Sequence, residues 1–124
     1  MNPKVRVIVE FMKTNLHRQL TLDEIGELVR LSHSRIENLF KAELGRAPIQ
    51  YRKEMRLEKA REFLENTFLN VKQVRLEVGY PDHRRFFRDF KKHFGLTPLQ
   101  YSARYITARL DGKDAANKNS NIDP

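Results

Sequence analysis

Apolar residues recur at spacings of three and four along most of this chain, the pattern of helices that bury one face. The first run follows Asn2 and Pro3, a capping residue and a proline that favour a helix start. Its apolar positions are Val5, Ile8, Val9, Met12 and Leu16. Thr21 and Glu24 then form a capping-box pattern at the start of a second, shorter helix. The first part of the chain therefore predicts two helices and no strand.

Start and stop residues delimit five further helices. Ser32 is placed to cap a helix that Gly45 ends, and Pro48 opens a long helix that runs to about Glu65. The apolar stripe of that long helix is formed by Ile49, Leu57, Ala60 and Leu64. The later starts are Asn70 with Gln73, Asp82, and Thr97 with Pro98, while Gly95 ends the penultimate helix and the last one runs to about Ala108. The pattern predicts an all-α fold of about seven helices.

The chain contains an internal repeat. The segment "FKAELGRAPIQY", residues 40–51, matches "FKKHFGLTPLQY", residues 90–101. Together with the residues that precede each segment, each copy predicts a short helix, a tight turn and a longer helix. The second copy has one extra residue in its turn. We predict one domain over residues 1–108, with helix-turn-helix units at about 4–47 and 70–106 joined by a linker helix at about 48–65. Residues 109–124 are almost free of apolar side chains and are predicted to form a disordered tail.

The longer helix of each copy has an apolar back and a polar front. At about 100° per residue, the apolar back is Ile36, Leu39, Phe40 and Leu44 in the first copy, and Phe86, Phe90 and Phe94 in the second. The opposite face carries Ser34, Asn38 and Lys41 in the first copy, and Arg84, Arg88 and Lys91 in the second. A helix of this kind, preceded by a short helix and a turn, fits the major groove of DNA.

Charge and composition narrow the functional classes. The net charge of +8 and the pI of about 10.0 favour nucleic acid, an anionic membrane surface or an acidic partner. Much of the excess lies in residues 71–110, which hold nine basic and three acidic side chains. The absence of cysteine excludes disulfides and thiolate zinc sites and fits a reducing compartment. No apolar run reaches the roughly 18 residues of a membrane span, and the first residues do not form a signal peptide.

Three other functional classes are alternatives to DNA binding. No nucleophile elbow, phosphate-binding loop, zinc-protease motif or dinucleotide loop is present, and the histidines are not spaced as metal ligands, so an enzyme is not expected. The segment 82–95 alone resembles a basic amphipathic membrane helix, but its sister copy has the same apolar face and little net charge. A protein-interaction adaptor that has lost DNA binding remains the other alternative.

Four motifs cover most of the predicted helices: "LTLDEIGELV", "LSHSRIENLFKAELGRAP", "YRKEMRLEKAREFL" and "VRLEVGYPDHRRFFRDFKKHFGLTPLQY". On these motifs the chain resembles the DNA-binding domain of the AraC/XylS family of bacterial transcription regulators, over about residues 4–106. The resemblance implies sequence-specific binding of double-stranded DNA. The recognition helices, at about 33–44 and 83–94, would enter successive major-groove segments.

The resemblance also implies the biological setting. We expect transcription regulation in the bacterial cytoplasm, at the nucleoid, often as activation through contact with RNA polymerase. No cofactor and no membrane partner are expected. Regulators of this family often carry a separate ligand-binding or dimerisation domain, for which the 124 residues leave no room. The chain is therefore expected to be either a small stand-alone regulator or the C-terminal part of a longer protein that has such a domain.

The resemblance assigns groove-facing positions to residues of both recognition helices. The predicted DNA-binding residues are Ser34, Arg35, Asn38, Lys41, His83, Arg84, Arg85, Arg88 and Lys91. Asn38 is suited to an adenine edge, whereas Arg84 and Arg88 either read guanine or neutralise phosphate. Phe87, beside the basic face, either touches a thymine methyl group or packs on a neighbouring helix. Further candidates for phosphate contact are Arg46, Arg52, Lys92 and Ser102.

A few positions depart from the pattern of the family or have an expected structural role. Arg75 stands where a small residue is usual, and Gly26 keeps the close approach in the first unit. We expect Arg75 to turn its charged end outward, either loosening the second unit or meeting phosphate. Arg30 replaces a turn glycine that Gly79 retains in the second unit. Arg56 is expected to brace the linker helix through an ion pair.

Overall fold

The computed structural model describes residues 1–106, which fold into seven helices and contain no strand. The helices are α1 (Pro3–Lys13), α2 (Leu22–Val29), α3 (His33–Leu44), α4 (Pro48–Asn66), α5 (Val71–Glu77), α6 (His83–Phe94) and α7 (residues 98–106). The predicted all-α fold is confirmed. The predicted tail, 109–124, lies outside the described residues.

The helix starts, and the ends of α3 and α6, form where the sequence predicts them, because their signals are local. By contrast, α1 ends at Lys13, before Leu16 of the predicted apolar run. Thr21 and Asn70 each accept a hydrogen bond from the backbone three residues on, and Glu24 and Gln73 return the bond to complete two capping boxes. Gly45 and Gly95 end α3 and α6 in the left-handed conformation, with φ of 75° and 85°. As a result, α3 and α6 both contain 12 residues.

Each helix-turn-helix unit has its own hydrophobic core. The first cluster is formed by α1, α2 and α3 around Ile36 and Phe40, and the second by α4, α5 and α6 around Phe86 and Phe90. All four of these side chains are fully buried. Burial of such a side chain contributes about 1.5–3 kcal/mol. The predicted apolar backs of α3 and α6 therefore hold the two helices in place from behind.

The linker helix α4 serves both cores from nearly opposite faces. Pro48, Tyr51 and Met55 lie on the face toward the first core, where the Tyr51 ring meets Phe40 at a centroid distance of 5.9 Å. The face toward the second core is formed by Leu57, Ala60 and Leu64. These two groups of residues lie on different faces because successive residues are rotated by about 100° around the helix axis. One continuous helix thus holds a unit on each side.

The prediction that Ile49 belongs to the buried stripe of α4 is wrong. Its side chain is 71% exposed. At about 100° per residue, Ile49 lies within about 20° of Ala60, but it precedes Ala60 by eleven residues, or about 16 Å of helix. The second core does not extend that far along α4, so the stripe has nothing to pack against at its first turn.

Candidate nucleic-acid interface

The predicted recognition helix of the first unit, α3, presents a small polar surface. We call this surface the first polar face; it comprises Ser34, Arg35, Asn38 and Lys41. All four residues are exposed, on the side opposite buried Ile36 and Phe40. None of the four side chains forms a hydrogen bond or an ion pair with any part of the chain that the structure describes. Their donors and acceptors are therefore available to an external partner.

The predicted recognition helix of the second unit, α6, presents a more basic surface. We call this surface the second polar face; it comprises His83, Arg84, Arg85, Arg88 and Lys91. All five residues are exposed. Arg88 approaches a carboxylate only loosely, with its Nε 3.7 Å from Oδ1 of Asp89 while its side chain stays 71% exposed. The face is therefore positive and keeps its cations in solvent.

The acid within α6 is turned away from this face. Asp89 is only 11% exposed at its side chain and accepts a hydrogen bond of 3.0 Å from the hydroxyl of Tyr80. Burial, followed by the Asp89 charge, raises the pKa of Tyr80 well above its usual range. The phenol therefore remains a donor to Asp89. Sequence reasoning missed this pair, although an acid in an otherwise basic helix was a signal for an internal partner.

Asp82 caps α6 at the end that carries His83 and Arg84. Its Oδ1 accepts a hydrogen bond of 2.9 Å from the backbone N–H of Arg84. This hydrogen bond holds the pKa of Asp82 below its usual value. The carboxylate therefore stabilises the start of α6 while it remains ionised.

A change of Asp82 to asparagine is expected to remove one source of acid sensitivity. The lowered pKa of Asp82 contributes stability that is present above the ordinary value of about 3.9 and is lost as the pH falls through the lowered value. Asparagine caps a helix as well as aspartate but does not titrate. Melting temperatures measured from about pH 7 to about pH 2 should fall more for the wild type than for Asp82→Asn. Parallel curves would contradict this role of the carboxylate.

Phe87 packs inside the second unit rather than pointing to the groove. It is half-buried against the second core, and its ring meets those of Phe86 and His83 at centroid distances of 6.5 and 6.4 Å. Of the two alternatives for Phe87, the structure shows packing on its neighbours. Its contact with His83 also supports the first turn of the second polar face.

Arg75 takes neither of the two roles expected for it. Its Nη1 donates hydrogen bonds of 2.7 and 2.8 Å to the carbonyl oxygens of Tyr80 and Pro81. The side chain therefore braces the turn before α6 instead of loosening the unit or reaching toward phosphate. In the first unit Gly26 does allow close approach, since a Cβ there would lie 2.8 Å from the Leu31 carbonyl oxygen. Where the short helix crosses the longer helix, the first unit therefore has a glycine without a side chain, whereas the second has an arginine that bonds to the turn.

Arg52 and Arg56 also differ from their predicted roles. Arg52 is 8% exposed and donates to the carbonyl oxygens of Asn15 and Arg18, so the prediction of a phosphate contact is wrong. Burial, with the nearby Arg56 and Arg18 charges, lowers the pKa of Arg52 to about 10. Arg56 donates to the Leu16 and Arg18 carbonyl oxygens at 3.2 and 2.9 Å, so the predicted ion pair is wrong as well.

The described residues contain neither a metal-binding cluster nor a membrane-spanning helix. Within residues 1–106, no group of three or more histidine, aspartate or glutamate side chains is arranged to hold a metal ion. None of the helices described in the structure is both long and apolar enough to cross a bilayer.

Known proteins share this architecture. Residues 25–104 match the family described as helix-turn-helix domain. The HTH-type transcriptional regulator ArgR of Pseudomonas aeruginosa is 36% identical over 99 residues, which make up 80% of this chain and 30% of the relative. The chain spans about a third of the length of the curated relatives it matches.

Solved structures agree with this likeness. A transcriptional regulator from Chromobacterium violaceum, described as having an AraC-type DNA-binding domain, has a TM-score of 0.77 at 33% identity, over 83% of this chain and 92% of that one. The DNA-binding domain of AdpA, solved with a target DNA, has the same fold with a TM-score of 0.81 at 23% identity, over 88% of this chain and 98% of that one. The paired helix-turn-helix units, the two exposed polar faces and these relatives show that the chain belongs to the AraC/XylS family of bacterial DNA-binding transcription regulators.

Proposed function

We propose that this domain binds double-stranded DNA in a sequence-specific manner, with α3 and α6 in successive major-groove segments on one side of the duplex. The observation that carries the proposal is the pair of 12-residue helices on opposite faces of α4, each with a buried apolar back and an exposed polar front. The major groove is about 12 Å wide and admits one helix. Successive turns of the groove are about 34 Å apart, so a monomer would read an asymmetric site.

The two polar faces suit different kinds of contact. In the first, Ser34 and Asn38 are neutral side chains that can donate to and accept from base edges, and asparagine pairs well with adenine. Arg35 and Lys41 flank them and suit the phosphates. In the second, Arg84 and Arg88 carry the planar donor fork that matches guanine, and a bidentate pair of this kind discriminates by about 1–3 kcal/mol.

The remaining cations of the second polar face add affinity without adding sequence preference. His83, Arg85 and Lys91 are exposed beside Arg84 and Arg88 and suit the phosphates that border the groove. Each phosphate that the protein neutralises releases counterions, which makes binding depend steeply on salt. The second unit therefore supplies the larger electrostatic share, and the first unit contributes mainly hydrogen bonds.

Regulation of transcription would follow from this binding within a longer protein. Among the relatives is the lactose operon transcription activator of Staphylococcus xylosus, which is 29% identical over 101 residues. Because the chain corresponds to about a third of such relatives, we place ligand binding or dimerisation in a further domain of a longer chain. Contact with RNA polymerase is the proposed route to activation.

Selection of bound duplexes from a randomised DNA pool tests this function. At about 150 mM salt, we expect two short enriched motifs whose centres are about 10.5 base pairs apart. A single motif beside a featureless flank would show that one unit reads bases and the other holds phosphates. No enrichment, together with binding to anionic vesicles that DNA does not displace, would favour the membrane alternative and overturn the proposal.

A further inference from the structure

We propose that Arg52 and Arg56 are positioning residues that clamp the loop between α1 and α2 against the second unit, and so fix the separation at which the two recognition helices bind DNA. The part of this inference that concerns DNA spacing rests on the proposed function. We call the contact region the junction; it comprises residues 15–19 of the loop, Arg52, Arg56, Gly79 and Tyr80.

The hydrophobic cores do not connect the two units directly. The first cluster of buried residues and the second have no member in common. Apart from α4, the units meet where the loop after α1 reaches the turn before α6. A polar contact at this place therefore adds a second connection between the units, which restrains their relative movement beyond what α4 alone provides.

The first half of the junction is a set of hydrogen bonds from α4 to the backbone of the loop. Arg52 Nη2 donates to the Asn15 carbonyl oxygen at 2.8 Å and also to that of Arg18. Arg56 Nε and Nη2 donate to the carbonyl oxygens of Leu16 and Arg18 at 3.2 and 2.9 Å. Hydrogen bonds from an ionised donor are about twice as strong as neutral ones. Two guanidinium forks therefore fix the loop backbone on α4.

The burial of these two arginines indicates that the contact is specific. Burial lowers the pKa of both side chains, and the charge of Arg56 lowers that of Arg52 further. The Nε of Arg52 is buried without a hydrogen-bond partner among the described residues. A charge is costly to bury, and for Arg52 the effect of burial exceeds that of the nearby Glu24 charge, so generic surface packing does not account for an arginine here. The carbonyl oxygens of the loop compensate for that cost only in this docked arrangement.

The second half of the junction is the turn between α5 and α6. A Cβ on Gly79 would lie 2.1 Å from the Leu16 carbonyl oxygen and 3.0 Å from Arg56 Nη2. The Gly79 carbonyl oxygen accepts a long hydrogen bond of 3.4 Å from Gln19. The loop of the first unit therefore rests directly on the backbone of the second, at a position that only glycine leaves open.

The contact continues into the second recognition helix. The guanidinium of Arg56 lies 5.9 Å from the centre of the Tyr80 ring, and the Tyr80 hydroxyl donates to Asp89 of α6. Arg56 therefore contacts the loop of the first unit on one side and, on the other, Tyr80, which is bonded to α6. Movement of one unit relative to the other would break this series of contacts.

Distance measurements between spin labels test the clamp without DNA. The chain has no cysteine, so Glu27→Cys in α2 and Lys72→Cys in α5, both at exposed positions, give one label on each unit. We expect a narrow distance distribution that broadens when Arg52→Gln and Arg56→Gln are added. Lys59→Gln, which changes an exposed α4 charge outside the junction, should leave the distribution narrow. An unchanged width in the double variant would overturn the proposal.

Thermal unfolding measurements and a milder variant distinguish release of the clamp from loss of the fold. Circular dichroism should show that the labelled variants keep their helical content. If the double variant does not fold, Arg56→Lys replaces it, because lysine keeps the charge but loses the donor fork that joins two carbonyl oxygens. Its distribution should also be wider than that of Lys59→Gln. Equal widths for these two proteins would count against the clamp.

Duplexes with altered spacing test the consequence for DNA. If the selected site contains two motifs, inserting about three base pairs between them turns one by roughly a third of a helical turn. For the wild type we expect affinity to fall by about 100-fold or more, since only one unit then engages. For Arg52→Gln/Arg56→Gln the loss should shrink to about tenfold. Identical losses would refute the link to spacing, whereas failure of all duplexes to bind would refute the proposed function and leave the label distances to decide on the clamp.

Discussion

Replacing Arg84 and Arg88 together by alanine is expected to weaken binding to the selected duplex by about 30- to 20,000-fold. Each bidentate arginine contributes about 1–3 kcal/mol of discrimination, and 1.4 kcal/mol corresponds to a tenfold change in affinity. Both side chains are exposed on α6, and Arg88 has only a loose contact of 3.7 Å with Asp89. Their removal should therefore leave the fold intact, and the whole effect should appear in a binding titration.

Two controls separate reading of bases from neutralisation of phosphates. Lys59→Ala removes one positive charge from α4, where Lys59 meets Glu62 at 3.4 Å, and should change affinity only slightly. If the arginines read guanine, the loss should be much larger for the selected duplex than for a scrambled one. If they hold phosphates, the loss should be similar for both, and the salt slope should fall by about 0.9 per arginine removed. Equal affinities of the wild type, the double arginine variant and Lys59→Ala would contradict the prediction that the second polar face binds DNA.

Gly79→Ala is expected to lower the free energy of unfolding by more than about 3 kcal/mol, and Gly45→Ala by only about 1–2 kcal/mol. Both glycines have positive φ, 83° and 75°, so both substitutions meet the same backbone strain. At Gly45 nothing lies within 4 Å of an added Cβ. At Gly79 the added atom would lie 2.1 Å from the Leu16 carbonyl oxygen, and a backbone atom cannot turn aside as a side chain can.

Urea denaturation of the two glycine variants measures this difference directly. Because the strain is common to both, the excess loss in Gly79→Ala reports the collision at the junction. A further labelled protein carrying Gly79→Ala should show the broad distance distribution expected when the clamp is released. Equal stabilities of Gly79→Ala and Gly45→Ala would mean that the loop moves away without cost.

Features set by neighbouring residues could be predicted from the sequence. The caps at Thr21, Asn70 and Asp82 join groups two or three residues apart, so residue type and spacing are sufficient. The apolar backs of α3 and α6 follow from helical periodicity alone. The exposed positions of the two polar faces then follow as the opposite sides of the same helices.

Features set by distant backbone atoms could not be predicted in the same way. Arg52, Arg56 and Arg75 all donate to carbonyl oxygens, and every residue has a carbonyl group, so no side-chain pattern marks the partner. A guanidinium in a charged segment is more readily predicted to meet a carboxylate or a phosphate. The prediction that Ile49 is buried was wrong for another reason. Periodicity gives the angle of a residue around a helix, but it does not give how far the neighbouring core extends along that helix.

The turns of the two units differ, so the two copies of the repeat cannot exchange positions. Arg30 and Gly79 both adopt positive φ, at 58° and 83°, but the first turn faces solvent and accepts a long side chain, whereas the second receives the loop that precedes it. The copies are consequently not interchangeable modules. A chimera that placed the first copy in the second position would bring Arg30 into collision with the Leu16 carbonyl group. An engineered array with reordered or additional units would need a glycine at every internal turn and an arginine pair on every linker.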